Sequence, residues 1–251
     1  MQGITTSHIA SFDGVKLAVH RCGKGRPVVL LHGLFSNAQV NWVKFGHASC
    51  LVEAGFEVIM PDLRAHGQSD APRDEAAYPQ FVLVRDLVTL VDALGLTDFD
   101  LAGFSLGART AAEAVTQGLM PRRLVLAGMG LQGLTGWTHR AQFFLDMIER
   151  FDSLERGDPA WMAAQFMKTM KIDHEAARCL LMSIRNQSVQ DLAAITMPTL
   201  VLCGDEDNDN GPPDELADLL PDGRLKFVPG THMSSVTKPD LGVAIAAFLS
   251  S

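Results

Sequence analysis

Short apolar runs alternate with amphipathic segments along most of the chain. The apolar runs end in glycine or in a polar loop, as buried parallel strands do, and they occur in RPVVLLHG, FEVIMPDLRAHGQSD, FDLAG, RLVLAG, PTLVLCG and RLKFVP. Apolar residues at helical spacing predict helices over residues 39–54, 81–94 and 106–117, near Asp214 and from Pro239 onward. This alternation predicts an α/β fold with a doubly wound, mostly parallel sheet.

Two segments depart from this alternation. SHIASFDGVKLAVHR predicts an N-terminal hairpin, because Asp13 and Gly14 supply a tight turn between two strand-like arms. Between residues 135 and 195 there is no strand pattern, and the spacing predicts helices at 137–151, 159–170 and 174–188. We therefore predict a core domain formed by residues 1–134 and 196–251, with a helical insertion at residues 135–195.

Composition and charge limit the compartment and the partners. The chain has 251 residues, of which 47% are hydrophobic, so it can bury a sizeable core. Its net charge of -8 gives no electrostatic reason to expect a nucleic acid partner. The four cysteines form no C-x-x-C pair, and the sequence shows neither a secretory leader nor an apolar run long enough to span a bilayer. We expect a cytoplasmic protein with reduced thiols and no membrane partner, and the sequence gives no basis for an oligomeric state.

Two glycine-rich stretches suggest different chemistry, and the first to consider is GMGLQG at residues 128–133. A dinucleotide site would need a helix directly after these glycines and an acidic residue at the end of the next strand. Instead the glycines continue to Gly136, and Glu149 and Asp152 fall in a helical pattern. We interpret this stretch as a flexible connection that leaves the sheet, and we expect no cofactor.

The other stretch, GFSLG, lies between a predicted strand and a predicted helix. The motif G-x-S-x-G at such a junction is typical of a nucleophilic serine on a sharp turn, here Ser105. Gly103 and Gly107 flank it at positions where a Cβ would collide with the bent backbone. The turn also puts Ser105 at a helix N-terminus, which favours negative charge.

A serine hydroxyl needs a base and an orienting acid before it becomes a good nucleophile. Of the histidines after Ser105, only His232 lies in a loop at the carboxyl end of a predicted strand, whereas His139 and His174 lie on helices of the insertion. For the acid, Asp205 and Asp207 both follow the strand TLVLC, at the same end of the sheet.

The acidic stretch DEDNDNG also resembles a calcium-binding loop. Its sixth position is Asn210 rather than glycine, and its twelfth is Leu216 rather than glutamate. We therefore expect no metal site there. Acyl transfer also needs two backbone amides that bind the developing oxyanion. We assign these to Leu106, which follows the serine, and to Leu34 in the loop after LLHG.

In their order, the stretches LLHGLFSN, MPDLRAHGQSD, GFSLGA, PTLVLCGDED and PGTHMS resemble those of the α/β-hydrolase fold family. The resemblance implies that Ser105 is the nucleophile and that His232 is the general base. It also implies Asp207 as the acid, because the family's G-x-x-D falls on Gly204 and Asp207, and it implies the amides of Leu34 and Leu106 as the oxyanion hole. The helical insertion then corresponds to the family's substrate-determining cap.

Several other residues that match the family are interpreted as structural. Asp62, Arg64 and His66 are expected to hold a loop wall by side-chain bonding, and His32 is expected to be structural as well. Most aromatic and methionine side chains of the insertion should pack the insertion itself, while some line an apolar pocket; they are Phe143, Phe144, Met147, Trp161, Met162, Phe166, Met167, Met170 and Met182.

These observations predict a serine hydrolase that cleaves a small, mainly apolar carboxylic ester, lactone or thioester through an acyl-enzyme. Alternatives that use the same residues are cofactor-free haloperoxidase or perhydrolase chemistry, hydrolysis of a carbon–carbon bond, and a ligand-binding protein without turnover. Solvent exposure is the default for arginines on surface helices. It is expected here for Arg140, Arg150, Arg156, Arg178 and Arg185, so the sequence predicts a preference for neutral esters.

Overall fold

One eight-stranded sheet runs through the computed structural model, which describes residues 3–251. In chain order the strands are β1 (Thr5–Ala10), β2 (Lys16–Gly23), β3 (Arg26–Leu31), β4 (Phe56–Pro61), β5 (Asp100–Phe104), β6 (Leu124–Ala127), β7 (Thr199–Gly204) and β8 (Gly223–Val228). Their spatial order is β1-β2-β4-β3-β5-β6-β7-β8. The pairs β1–β2 and β2–β4 are antiparallel, and all pairs from β4–β3 to β7–β8 are parallel. The predicted fold class and N-terminal hairpin are confirmed.

Helices cover both faces of the sheet, as a doubly wound fold requires. The helices of the core are α1 (His47–Glu53), α2 (Val82–Ala93), α3 (Leu106–Thr116), α9 (Pro213–Leu219), the single turn α10 (His232–Ser235) and α11 (Pro239–Ser250). Alternate residues of each central strand point to opposite faces. Val29 and Leu31 of β3 pack with α2, α3 and α9, whereas Val28 and Leu30 pack with α1 and α11.

Between β6 and β7 the chain forms only helices. They are α4 (Leu131–Thr135), α5 (Trp137–Glu149), α6 (Trp161–Thr169), α7 (His174–Ser183) and α8 (Val189–Leu192). Helices α5, α6 and α7 correspond to the three predicted ones. They share a small apolar core in which Met147 and Met167 pack against Phe35, a residue of the loop after β3. The insertion therefore rests on that loop.

Two local predictions were wrong in detail. The helix predicted over 39–54 is a short π-helical turn at Gln39–Val43 followed by α1, with Gly46 in a left-handed conformation (φ 85°) between them. The glycine-rich stretch after β6 leaves the sheet as predicted. It is not simply a flexible connection, however, because it contains the short helix α4 and is largely buried. An added Cβ at Gly130 would overlap the backbone of Gly211, so this glycine lets two chain segments pack closely.

Two further observations concern the state of the cysteines and the length of the helices. All four cysteines lie within the described residues and are free thiols. Within residues 3–251, no helix is both long and apolar enough to cross a membrane.

Candidate active site

Ser105 lies on a strained turn between β5 and α3. Its φ of 53° and ψ of -111° are rarely adopted by a residue with a side chain. The two flanking glycines make the turn possible: an added Cβ at Gly103 would overlap the backbone of Gly107, and one at Gly107 would overlap the carbonyl of Leu31. The backbone thus fixes the serine at the carboxyl edge of the sheet, at the N-terminus of α3.

The predicted histidine reaches Ser105 from the loop after β8. The Nε2 atom of His232 lies 3.1 Å from the Ser105 Oγ atom. A capping box holds the histidine turn, because the Thr231 amide donates to the Ser234 hydroxyl at 2.8 Å and the Ser234 amide donates back to Thr231. The imidazole is buried, and its ring packs against Phe104 with 5.0 Å between ring centroids.

The other nitrogen of His232, Nδ1, lies 2.8 Å from an Asp207 carboxylate oxygen. Burial alone would raise the pKa of Asp207. The hydrogen bonds from His232 and from the Asp209 amide, together with nearby Arg140, outweigh burial and lower this pKa below its ordinary value. Asp207 is therefore a carboxylate at neutral pH, which orients the imidazole and can stabilise its protonated form.

Asp205, the other acid candidate, has a different contact. Its carboxylate accepts a hydrogen bond of 2.7 Å from the Gly230 amide and so ties the loop after β7 to the histidine loop. The structure brings Ser105, His232 and Asp207 together and leaves Asp205 outside this chain of hydrogen bonds. The catalytic role of each residue stays a prediction.

Both residues whose amides are predicted to bind the oxyanion, Leu34 and Leu106, line the cavity that contains Ser105. In the loop after β3, the Gly33 and Phe35 amides donate to Asn41 and His66 at 3.0 Å each. The Leu34 amide between them has no acceptor within residues 3–251. The Leu106 amide, at the start of α3, is similarly free. Two unused donors beside a serine hydroxyl suit an oxyanion hole.

Comparisons of the sequence and of the structure with known proteins together reach most of this chain. The sequence profile of the alpha/beta hydrolase fold matches residues 26–126. The solved structure of a hydrolase from Pseudomonas aeruginosa superposes with a TM-score of 0.77 at 24% identity, over 98% of this chain and 99% of that one. The chain has the alpha/beta hydrolase fold.

Sequence relatives of this α/β-hydrolase differ in their named activities. YisY of Bacillus subtilis, an AB hydrolase superfamily protein, is 29% identical over 80% of this chain and 81% of its own length. The non-heme chloroperoxidase CPO-A1 of Kitasatospora aureofaciens is 26% identical over 87% and 89%. An epoxide hydrolase of Caballeronia sordidicola is 33% identical, but the match spans only 45% of this chain and 33% of the relative. The comparisons support a hydrolase, but they do not decide which type of bond it cleaves.

Buried histidines hold the loop after β3 in place. His32 donates from Nδ1 to the Gly33 carbonyl at 2.8 Å and accepts from the Leu63 amide at 2.9 Å. His66 bonds the Arg64 carbonyl and accepts from the Phe35 amide. Burial lowers the pKa of His66 to about 3 and also lowers that of His32, so both are neutral.

Asp62 and Arg64 complete this support and lie away from Ser105. Asp62 accepts hydrogen bonds from the Ala38 and Gln68 amides at 2.8 Å each and from His20. The guanidinium of Arg64 is fully buried and pairs with Asp86 and Asp13. These contacts agree with the structural interpretation of both residues.

The Ser105 cavity lies between the sheet edge and the helical insertion, and it has room for about one water molecule. Its lining consists of Leu34, Ser105, Leu106, Arg109, Met129, Gly133, Trp137, Arg140, Phe144 and Asn210. Of the nine aromatic and methionine residues considered in the insertion, only Phe144 is among them. The others pack the insertion or face solvent, as with Met162, which is 70% exposed.

One arginine of the insertion was predicted wrongly. The exposure expected for Arg140, Arg150, Arg156, Arg178 and Arg185 holds for Arg150, Arg156 and Arg185, whereas Arg178 is half-buried with a 43% exposed side chain. Arg140 is only 27% exposed in its side chain, because the loop after β7 packs over α5 at this point. Burial lowers the pKa of Arg140, although Asp209 and Asp207 oppose this. Arg140 is nevertheless among the residues that line the cavity containing Ser105.

The sequence analysis also missed Arg109. Its side chain is 1% exposed, and it donates to the carbonyls of Gly133, Leu134 and Arg185. It thereby ties α3 to both ends of the helical insertion. The spacing from Ser105 could have revealed it, because residues four apart lie on the same face of a helix.

Proposed function

We propose that this α/β-hydrolase is a serine hydrolase that cleaves a small, mainly apolar carboxylic ester through an acyl-enzyme on Ser105. The observation that carries the proposal is the unbroken chain of hydrogen bonds from Ser105 Oγ through His232 to Asp207, at 3.1 and 2.8 Å. Hydroxyl, base and acid within these distances are what an activated serine nucleophile requires.

The steps follow from the positions of these groups. Ser105 Oγ attacks the ester carbonyl carbon while His232 Nε2 takes its proton, and Asp207 stabilises the resulting imidazolium. The amides of Leu34 and Leu106 bind the oxyanion of the tetrahedral intermediate. As the intermediate collapses, the C–O bond to the alcohol breaks and His232 returns the proton to the leaving oxygen. A water molecule, deprotonated by His232, then releases the acid and restores Ser105.

Ester cleavage fits this site better than epoxide opening. Attack of a serine oxygen on an epoxide carbon would form an ether on Ser105, which neither His232 nor water could cleave. Attack on an ester carbonyl forms an acyl-enzyme that water hydrolyses, so turnover is complete. This reasoning favours acyl chemistry although epoxide hydrolases are among the sequence relatives.

A second candidate uses the same acyl-enzyme with a different acceptor. Hydrogen peroxide in place of water would release a peracid, which is perhydrolase chemistry. The likeness to a non-heme chloroperoxidase over most of both chains favours this candidate. In either case an ester is larger than the present cavity, so the residues that line it must rearrange for binding.

A fluorophosphonate probe and p-nitrophenyl butyrate test the proposal together. The probe should label Ser105, and Ser105→Ala should lose both the label and esterase activity by several orders of magnitude. Ser7→Ala, which changes an exposed serine of β1, serves as a control that should keep the label. Labelling of another serine, with activity intact in Ser105→Ala, would refute the mechanism. Peracid formed from ester and peroxide measures the second candidate.

A further inference from the structure

The Ser105 cavity is lined by two cations and, within residues 3–251, by no aspartate or glutamate. Arg109 contributes from α3, four residues after the nucleophile, and Arg140 contributes from α5 of the insertion. Arginine stays charged at neutral pH wherever it lies. A ligand that carries negative charge into this cavity is therefore attracted by both arginines.

Arg109 has no ionised partner of its own. Its three hydrogen bonds go to neutral carbonyls, its Nε atom has no acceptor, and it forms no ion pair within residues 3–251. The nearest acid along α3, Glu113, is itself buried, and burial raises the pKa of its carboxyl. A buried charge without a counter-ion is costly, and an anion in the adjoining cavity reduces that cost.

Arg140 is the better placed of the two to contact a ligand. It is partly open, with a 27% exposed side chain, and the ring of Phe144 lies 5.7 Å from its guanidinium carbon. One donor is used at 2.5 Å on the Asp209 carbonyl, and the Asp209 carboxylate, 52% exposed, lies 3.7 Å from another nitrogen. A guanidinium has five N–H donors, so donors remain for a ligand.

The other nearby carboxylate does not occupy this position. Asp207 is 3% exposed and is bonded to His232 and to the Asp209 amide, so its oxygens are already used. Asp209 anchors Arg140 from the solvent side. Because Arg140 lines the cavity, a carboxylate that enters beside Ser105 can accept from the guanidinium donors that Asp209 leaves free.

We propose that the substrate is an ester or lactone that carries a carboxylate, and that Arg140 is the specificity-determining residue that binds it. The apolar wall formed by Leu34, Trp137 and Phe144 holds the rest of the molecule. This proposal rests on the proposed serine hydrolase function, and it reverses the preference for neutral esters that the sequence predicts.

Matched substrates test the preference. One pair compares mono-p-nitrophenyl glutarate with p-nitrophenyl pentanoate, which differ by a carboxylate on the acyl part. A second pair compares 4-carboxyphenyl butyrate with 4-methylphenyl butyrate, which differ on the leaving group. In at least one pair, we expect kcat/KM to be ten- to a hundredfold higher for the anionic ester, after correction for intrinsic reactivity in hydroxide hydrolysis.

Variants of Arg140 assign the preference to this side chain. Arg140→Gln should lower kcat/KM for the favoured anionic ester at least tenfold more than for its neutral partner, and Arg140→Lys should restore part of the difference because it keeps the charge. The control is Arg178→Gln, which removes a charge of α7 whose side chain is 43% exposed and should leave the ratio unchanged. Binding of the same esters to Ser105→Ala provides a readout that does not depend on turnover.

The outcomes separate this proposal from the function it rests on. Equal or better use of the neutral ester in both pairs, or a ratio that Arg140→Gln leaves unchanged, would overturn the carboxylate proposal while Ser105 chemistry stands. If no ester is cleaved and the fluorophosphonate does not label Ser105, the hydrolase function fails. Binding to Ser105→Ala then decides the carboxylate proposal alone: tighter binding of the anionic ester supports it, and equal binding overturns it.

Discussion

Replacing Asp207 by asparagine should disable His232 without changing the shape of the site. The carboxylate accepts from His232 Nδ1 at 2.8 Å and from the Asp209 amide at 3.0 Å, and an amide group can satisfy only one of these donors with its oxygen. If its oxygen stays on Asp209, its NH2 group faces His232. The imidazole must then carry its proton on Nε2, facing Ser105, where it cannot act as a base.

The alternative orientation is also unfavourable, since it sets the NH2 group against the Asp209 amide, so that two donors face each other. We expect kcat to fall by about 10²- to 10⁴-fold, as when the orienting acid is removed from other serine enzymes. That corresponds to about 3–5 kcal/mol of transition-state stabilisation.

Asp205→Asn is the matched control for this substitution. An asparagine oxygen can still accept the 2.7 Å hydrogen bond from the Gly230 amide, so kcat should stay within about threefold of the original value. Both variants should be assayed with p-nitrophenyl butyrate, with circular dichroism to verify folding. A loss of two orders of magnitude in Asp205→Asn, beside near-normal Asp207→Asn, would reassign the acid.

Three further predictions concern the pocket and the stability of the fold. With neutral p-nitrophenyl esters, kcat/KM should rise about fourfold per methylene over the first few acyl carbons and then fall once the acyl chain outgrows the cavity. A flat profile from acetyl to dodecanoyl esters would contradict an apolar pocket. Because burial lowers the pKa of His66 to about 3, the unfolded chain binds a proton below pH 6.5 that the folded chain does not. The free energy of unfolding in urea should therefore drop by about 2 kcal/mol from pH 7.5 to 5 through this residue alone, and constant stability over that interval would count against it. Arg109→Met leaves three carbonyls without their donor, so it should lower the free energy of unfolding by about 3 kcal/mol or more. Urea unfolding measures this loss, with Arg178→Met as the control. Equal stability of the two variants would show that Arg109 does not tie the insertion to α3.

Much of the fold could be predicted because its elements are long and their periodicity is clear. The strand, the sharp turn and the helix around Ser105 follow each other within one short stretch, so the local sequence determines the local geometry. The acid was harder to predict, since Asp205 and Asp207 lie two residues apart on one loop. Only the tertiary contact with the histidine loop separates them.

The remaining differences arise from contacts between distant segments. Exposure of Arg140 depends on the loop after β7, which is about 70 residues further along the chain and packs over α5. The single-turn helices α4 and α10 are too short for a periodic pattern, and tertiary packing and capping determine them instead. The glycines at 128–136 predict a flexible connection, whereas in the structure Gly130 allows the backbone to pack closely against Gly211.

The position of the candidate triad in the strand order has a consequence for how activity is acquired. Ser105 follows the central strand β5, but Asp207 follows β7 and His232 follows β8, the last strand and one edge of the sheet. During synthesis the strained serine turn can form while the base is still more than 100 residues from being made. Under the proposed mechanism, a nascent or truncated chain with a folded centre has a nucleophile without a proton acceptor, and we expect it to be inert. We expect catalytic competence only when β8 docks on β7, so that hydrolysis would report completion of the fold.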